Sequence, residues 1–289
     1  MKIVIDRGAG FCPGVKKALD IAERNLREEG ILLSLGELLH NEREMERLGE
    51  KGLTVAGRAD IPRLGGKKLL IRAHGEPPET YRMAAKGGVR LVDATCSVVK
   101  RLQQKVQRAA EEMKRLGGQV VIFGRKDHPE VIGLAGHAMG RAIVVGSPEE
   151  TERIDFARPV RLFSQTTMNG DAYDKVASFI KEGMRKQNPE PDFLCHDSIC
   201  RHVSRRVPSL DDFARMHDVV IFVSGKHSAN GKKLFHACLQ ANPRSHFVST
   251  PAEIDPEWFT GAASAGISGA ASTPPWLLEE IAEKIRGIN

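Results

Sequence analysis

The sequence predicts an α/β protein of three small parallel-sheet domains built around one shared site. Three observations carry that prediction. Cys12, Cys96 and Cys200 each open the same pattern, with Val at the third following position (Val15, Val99, Val203) and a basic residue at the fifth (Lys17, Arg101, Arg205). Strand-like and helical stretches alternate with short connections, which implies parallel sheets. Polar clusters recur at matching strand ends, the edge where ligands gather in such folds.

Taken in order, a strand-like run leads into each cysteine, at residues 2–5, 89–92 and 192–194, and a helical pattern follows it. Each thiol is therefore expected at a strand-to-helix corner, where unpaired N–H groups and the helix dipole favour the thiolate. A buried-strand run comes next (31–35, 119–123, 218–223) and ends in Gly36, Gly124 or Gly225. Polar tracts follow: Leu39-His40-Asn41, Asp127-His128-Pro129-Glu130 and His227-Ser228-Ala229-Asn230. Each unit continues with a helix, a short strand, a turn or short helix, and another strand. Ser147-Pro148 and Thr250-Pro251 read as helix starts with proline at the first position. The last strand runs into Ala73-His74-Gly75, Ser164-Gln165-Thr166-Thr167 or Gly269-Ala270-Ala271-Ser272-Thr273-Pro274. Nothing after Ala282 reads as a closing strand. The expected domains are thus 1–96, 97–194 and 195–289, with residues 1–12 completing the third. Three equivalent thiolates on repeated units point to one site on a local threefold axis, occupied by a metal or an iron-sulfur cluster.

Composition narrows the class. The chain has 289 residues, 43 Lys and Arg against 37 Asp and Glu, and a net charge of +6. That surplus suits an anionic substrate or an acidic partner. It forms no basic stripe interleaved with aromatics, which are only 5% of residues, so nucleic acid is not the expected partner. The first apolar run stops at Asp6, far short of a signal or membrane segment. Five cysteines, an odd number, fit a reducing cytoplasm with thiols available to metal.

The tracts quoted above, together with Gly10-Phe11-Cys12-Pro13-Gly14-Val15 and Asp93-Ala94-Thr95-Cys96, resemble the LytB-type 4-hydroxy-3-methylbut-2-enyl diphosphate reductases. The match runs in order from the first strand to near the C-terminus. The resemblance implies a pseudo-threefold cloverleaf of α/β domains around one 4Fe-4S cluster. Cys12, Cys96 and Cys200 would be its ligands, leaving one open iron. It implies reductive dehydroxylation of the allylic diphosphate to isopentenyl and dimethylallyl diphosphate, the last step of the methylerythritol phosphate route. It also implies a small electron donor, a flavodoxin or ferredoxin. Glu130 is the candidate proton donor, since a carboxylic acid in a dry pocket stays protonated near neutral pH. Thr166 is expected to relay the proton or hold the substrate oxygen, and His128 completes the catalytic group. His40, His74, His128, Thr166, Ser228, Asn230 and Ser272 are the expected substrate contacts, because imidazoles and short hydroxyl or amide groups can surround a diphosphate.

Some signals point elsewhere. Gly225 to Lys233 resembles a P-loop but has five residues between its glycines and no Ser or Thr after the Lys, so it reads as a strand-end turn. Cys195-His196 with Cys200-Arg201-His202 resembles a metal tract, but its spacing is not that of a zinc finger. Cys195 and Cys238 read instead as buried small hydrophobes. No G-x-G-x-x-G follows a strand, which argues against a nicotinamide enzyme. The rival enzyme class is a three-cysteine cluster enzyme using the open iron purely as a Lewis acid, as in a hydro-lyase or a quinolinate-synthase-like enzyme. The rival outside catalysis is a metal or redox-sensing protein. Ser97, Ala229 and the tract after Cys200 depart from the family pattern, and Ala229 costs one expected phosphate contact.

Overall fold

The computed structural model describes residues 1–288, with the side chain of Ala229 outside the description. The chain forms two compact units: Met1–Ile31 with Glu37–Thr54 and Arg205–Asn289, and Leu32–Gly36 with Val55–Ser204. The strands are β1 (Lys2–Ile5), β2 (Leu32–Leu35), β3 (Leu53–Ala56), β4 (Lys68–Ile71), β5 (Arg90–Asp93), β6 (Gln119–Phe123), β7 (Ala142–Val145), β8 (Val160–Ser164), β9 (Phe193–Cys195), β10 (Val219–Val223), β11 (Ser245–Val248) and β12 (Ser264–Gly269). The helices are α1 (Pro13–Glu29), α2 (Glu42–Glu50), α3 (Pro78–Lys86), α4 (Ser97–Leu116), α5 (Pro129–His137), α6 (Gly170–Arg185), α7 (Arg201–Ser204), α8 (Arg206–Arg215), α9 (Ala229–Ala241) and α10 (Pro275–Arg286). The proline starts at 148 and 251 open short 3-10 helices, Pro148–Arg153 and Pro251–Glu253.

Among the described residues the strands form three parallel sheets of identical topology: β3-β2-β4-β5, β7-β6-β8-β9 and β11-β10-β12-β1. The third repeat is closed by the first strand of the chain, in the register Ile5 opposite Ile267. Expected and observed strands agree to within a residue or so, but β9 extends across the expected boundary at 194 and 195. By compactness β2, β4, β5 and the whole β7-β6-β8-β9 sheet fall in one unit, and the boundary between the units cuts β3 between Thr54 and Val55.

Parallel sheets must be covered on both faces, and the strand sequences are correspondingly apolar throughout. In the β6 sheet, Val121, Phe123 and Leu162 pack with Tyr173, Val176 and Ile180 of α6, while Val120, Ile122 and Phe163 pack with Leu102, Val106 and Leu134. Val219, Ile221 and Ile267 likewise meet Leu277, Leu278 and Ile281 of α10, and Val220 and Phe222 meet Leu210 and Leu234. Each such side chain contributes roughly 1.5–3 kcal/mol on burial.

In every sheet the order reverses between the first and third strand of the repeat: β2 and β4, β6 and β8, β10 and β12. That reversal opens a crevice at the carboxyl edge. The polar tracts follow those six strands, and the cysteines follow β5, β9 and β1. One repeat deviates after its cysteine. α1 and α4 are continuous, whereas the helical stretch after Cys200 breaks between α7 and α8. Pro208 explains the break, because it lacks an N–H for the carbonyl of Ser204 and its ring crowds that oxygen.

Gly225 pins the β10–α9 turn. A Cβ there would lie 2.7 Å from His40 O and 2.6 Å from Glu42 Oε2. Gly225→Ala is therefore expected to destabilise by about 1–3 kcal/mol through overpacking. Thermal unfolding checks this, and an unchanged Tm would show that the turn yields freely.

Candidate active site

The three repeated cysteines are held in one way. The N–H of Cys12 donates to Ala271 O at 3.3 Å, that of Cys96 to Ala73 O at 3.0 Å, and that of Cys200 to Thr166 O at 2.9 Å. Each acceptor lies in the polar tract after the third strand of its repeat. Cys12 and Cys96 are the N-caps of α1 and α4, and Cys200 immediately precedes α7. All three are half-buried. Their carbonyls already accept the first helical N–H bonds, from Lys16, Lys100 and Ser204.

In the second unit the tract residues form a connected group. Glu130 is buried, with Oε1 accepting the Thr166 N–H at 2.6 Å and Oε2 bonded to the Thr166 hydroxyl at 2.8 Å. Thr166 thus touches the carboxyl through its amide and hydroxyl, and Cys200 through its carbonyl. Burial drives the Glu130 carboxyl up to about 7, against the opposing pull of the Thr166 donors. His128 caps α5, its Nδ1 accepting the Glu130 N–H at 3.2 Å. That bond places the proton of the neutral ring on Nε2, making Nε2 a donor. The His74 ring meets His128 edge-on with centroids 5.4 Å apart. Gly75, at φ +68°, lets the His74 loop turn where a Cβ would strike the Gln103 amide.

In the first unit the Ser272 hydroxyl donates to His40 O at 3.4 Å, and Gly225 seats the β10–α9 turn against His40 and Asn41. Ser228 caps α9, its Oγ accepting the Gly231 N–H at 3.0 Å. This leaves the Ser228 hydroxyl proton for another acceptor. Asn230 lies half-buried in the first turn of the same helix. His40 Nδ1 is 3.7 Å from the Glu37 carboxylate.

A family profile described as LytB protein matches residues 3–286. The chain belongs to the LytB family. It is 48% identical to the 4-hydroxy-3-methylbut-2-enyl diphosphate reductase of Porphyromonas gingivalis, over 99% of both chains. It is 44% identical to the reductase of the same name from Bacteroides thetaiotaomicron, over 99% of this chain and 98% of that one. A solved (E)-4-hydroxy-3-methyl-but-2-enyl diphosphate reductase, described as the terminal enzyme of the non-mevalonate pathway, superposes with a TM-score of 0.76 at 34% identity, covering 99% of this chain and all of the other. The reductase of Plasmodium falciparum shares the fold, with a TM-score of 0.79 at 23% identity, over 98% of this chain and 87% of that one.

Several sequence expectations for this LytB-family chain need correction or completion. Cys195, expected to be buried, is exposed because β9 is a three-residue edge strand, while Cys238 is buried as expected. The Cys195-His196 metal tract is taken up otherwise: the His196 ring stacks on Phe163 with centroids 4.2 Å apart. Among the described residues, no three His, Cys, Asp or Glu side chains gather as ligands of a single ion. The consequence of Ala229 for phosphate contact lies outside the described residues. Asn41 and Gln165 stand in the same tracts and help to build them, although neither is among the expected contacts. Asn41 caps α2 by accepting the Glu44 N–H at 3.1 Å, and an Asn three residues before a Glu is the signal for it. Gln165 bridges the Arg125 N–H and the Thr167 hydroxyl, at 3.2 and 2.7 Å, and no spacing rule announces that role.

The raised Glu130 value has a thermodynamic consequence. The folded protein keeps this proton up to about pH 7, whereas the unfolded chain releases it in the ordinary glutamate range. Stability contributed by the protonated group therefore falls as pH rises from about 4.5 to 7, by about 3 kcal/mol. Glu130→Gln should remove that slope. Urea unfolding of both proteins across this range tests it, and parallel pH profiles would mean that the carboxyl is ionised in the fold.

Proposed function

We propose that this LytB-family protein reduces 4-hydroxy-3-methylbut-2-enyl diphosphate to isopentenyl and dimethylallyl diphosphate. The observation that carries the reading is the buried Glu130 carboxyl, poised near neutrality and joined through Thr166 to Cys200. The reaction consumes two electrons and two protons and releases water, so it needs a proton donor sealed from solvent.

A 4Fe-4S cluster fits the donor set. Three half-buried thiols sit at helix starts, with their backbone amides already engaged. Cys12, Cys96 and Cys200 would hold it. When bound, it supplies low-potential electrons and one iron without a protein ligand, a Lewis acid for the substrate hydroxyl.

The chain's own residues do the rest. Glu130 holds a proton at its carboxyl, and the Thr166 hydroxyl, 2.8 Å away, is the relay toward the substrate. The His128 Nε2–H, the His40 and His74 rings, the Ser228 and Ser272 hydroxyls and the Asn230 amide bind and orient the diphosphate. Buried packing around Glu130 keeps water from competing for the proton. Electrons come from a small acidic carrier protein of the flavodoxin or ferredoxin kind, which the net charge of +6 complements. The reaction belongs in the cytoplasm. Among the described residues, no helix is long and apolar enough to cross a membrane.

The test is oxidation of a reduced viologen dye by anoxically prepared, cluster-loaded protein, with and without the substrate. Substrate-dependent oxidation yielding the two five-carbon diphosphates is expected. Turnover that needs no reductant would replace this reading with pure Lewis-acid chemistry. In the same assay Glu130→Gln should lower kcat by about 10²–10⁴-fold while retaining iron. An unchanged kcat would remove Glu130 from the proton path.

A further inference from the structure

Two of the cysteines are entered through an aspartate clamp, and the two clamps differ. Before Cys96, Asp93 accepts the Thr95 N–H at 3.0 Å and takes Lys100 Nζ at 3.1 Å. That clamp is local, and its lysine is exposed. Before Cys12 the clamp is Asp6, and its cation comes from far along the chain. Asp6 Oδ1 accepts the Gly8 N–H at 2.8 Å, and Oδ2 lies 2.8 Å from both the Ser268 hydroxyl and Arg206 Nη2. The same Nη2 donates to Ser268 Oγ at 2.6 Å and to Gly269 O at 3.2 Å. Both charged side chains are sealed, at 6% exposure for Asp6 and 10% for Arg206.

Stability alone is a poor account of this pair. A buried ion pair roughly breaks even against apolar packing of the same volume. Here, moreover, Arg206 Nε and Nη1 are buried without a hydrogen-bond partner, which is a cost. What the guanidinium achieves is geometric. A Cβ on Gly8 would lie 3.0 Å from Nη1, so the group is packed directly on the loop that leads to Cys12. Through Ser268 and Gly269 it also grips the tail of β12. Two residues beyond Gly269, Ala271 O receives the Cys12 N–H.

We propose that Arg206, acting with Asp6, is a positioning residue for Cys12: it locks the loop before Cys12 to the end of β12 and so fixes the thiolate as a cluster ligand. This rests on the assignment of Cys12 as a ligand under the function proposed above. Groups that orient a metal ligand from outside are worth about 10–100-fold in metal affinity.

Arg206→Met alone would leave Asp6 buried and unpaired, so the informative variants are Asp6→Asn combined with Arg206→Met, and Arg206→Lys, which keeps the charge but loses the planar group packed on Gly8. Three quantities are measured on anoxic, cluster-loaded protein: iron release to a chelator, the electron paramagnetic resonance spectrum of the reduced cluster, and Tm. The expected result is iron release faster by about tenfold with an altered spectrum in the paired variant, while Tm of the cluster-free protein stays close to wild type. Wild-type release and spectrum in the paired variant would overturn the proposal. If the paired variant does not fold, Arg206→Lys decides: faster release supports the lock, and unchanged release refutes it. Wild-type protein that takes up no cluster would overturn the parent reading and this one with it. A loaded wild type beside an unaffected variant overturns only this one.

Discussion

The hydrogen bond from each repeated cysteine N–H to a carbonyl at the end of the third strand is the constraint on which the site depends. It joins the loop that presents a thiol to the loop that presents a polar side chain, so neither can shift without the other. Because it is a backbone bond, it survives variation in the side chains around it. That is why Ala73, Thr166 and Ala271 can serve as equivalent acceptors although they differ in type. Where the acceptor is Thr166, its side chain and amide additionally hold Glu130, and one residue links the Cys200 amide to the buried carboxyl.

The sheets explain why the two loops of each repeat meet. A parallel α/β sheet whose strand order reverses leaves its carboxyl edge open at the reversal, and the two strands flanking it deliver the tracts that follow them. The protein repeats this device three times with one topology. The repeats differ in the side chains that their tracts present. Only one of the three tracts after the first strand places a carboxyl next to a hydroxyl in a dry setting, and desolvation there outweighs two good donors.

Much of this was legible in the sequence. The threefold cysteine pattern and the polar tracts at matching strand ends predicted the repeat. The absence of a closing strand after Ala282 pointed to β1, which pairs with β12. The Glu130–Thr166 pairing was approachable because both residues follow neighbouring strands of one parallel sheet, at its carboxyl edge. What stayed hidden depends on distance along the chain. Nothing local to Arg206 signals that it meets Asp6, 200 residues earlier, and nothing local to Cys195 signals an edge strand too short to bury it. The broken helix after Cys200 was foreseeable from Pro208, but the helical pattern masked it.

The pairing of β1 with β12 also bears on how the chain is made. Ile5 finds Ile267 only once β12 has been made, so β1 must wait while all the chain between them is synthesised. Contacts of such sequence separation form slowly. The unit bearing Cys96 and Cys200 can fold while β10 to β12 are still being translated, since domains generally fold as units during synthesis. Cys12 acquires its backbone anchor at Ala271 last of the three. During that interval β1 is an unpaired apolar strand, which gives the nascent protein its own window of exposure to aggregation and to chaperones.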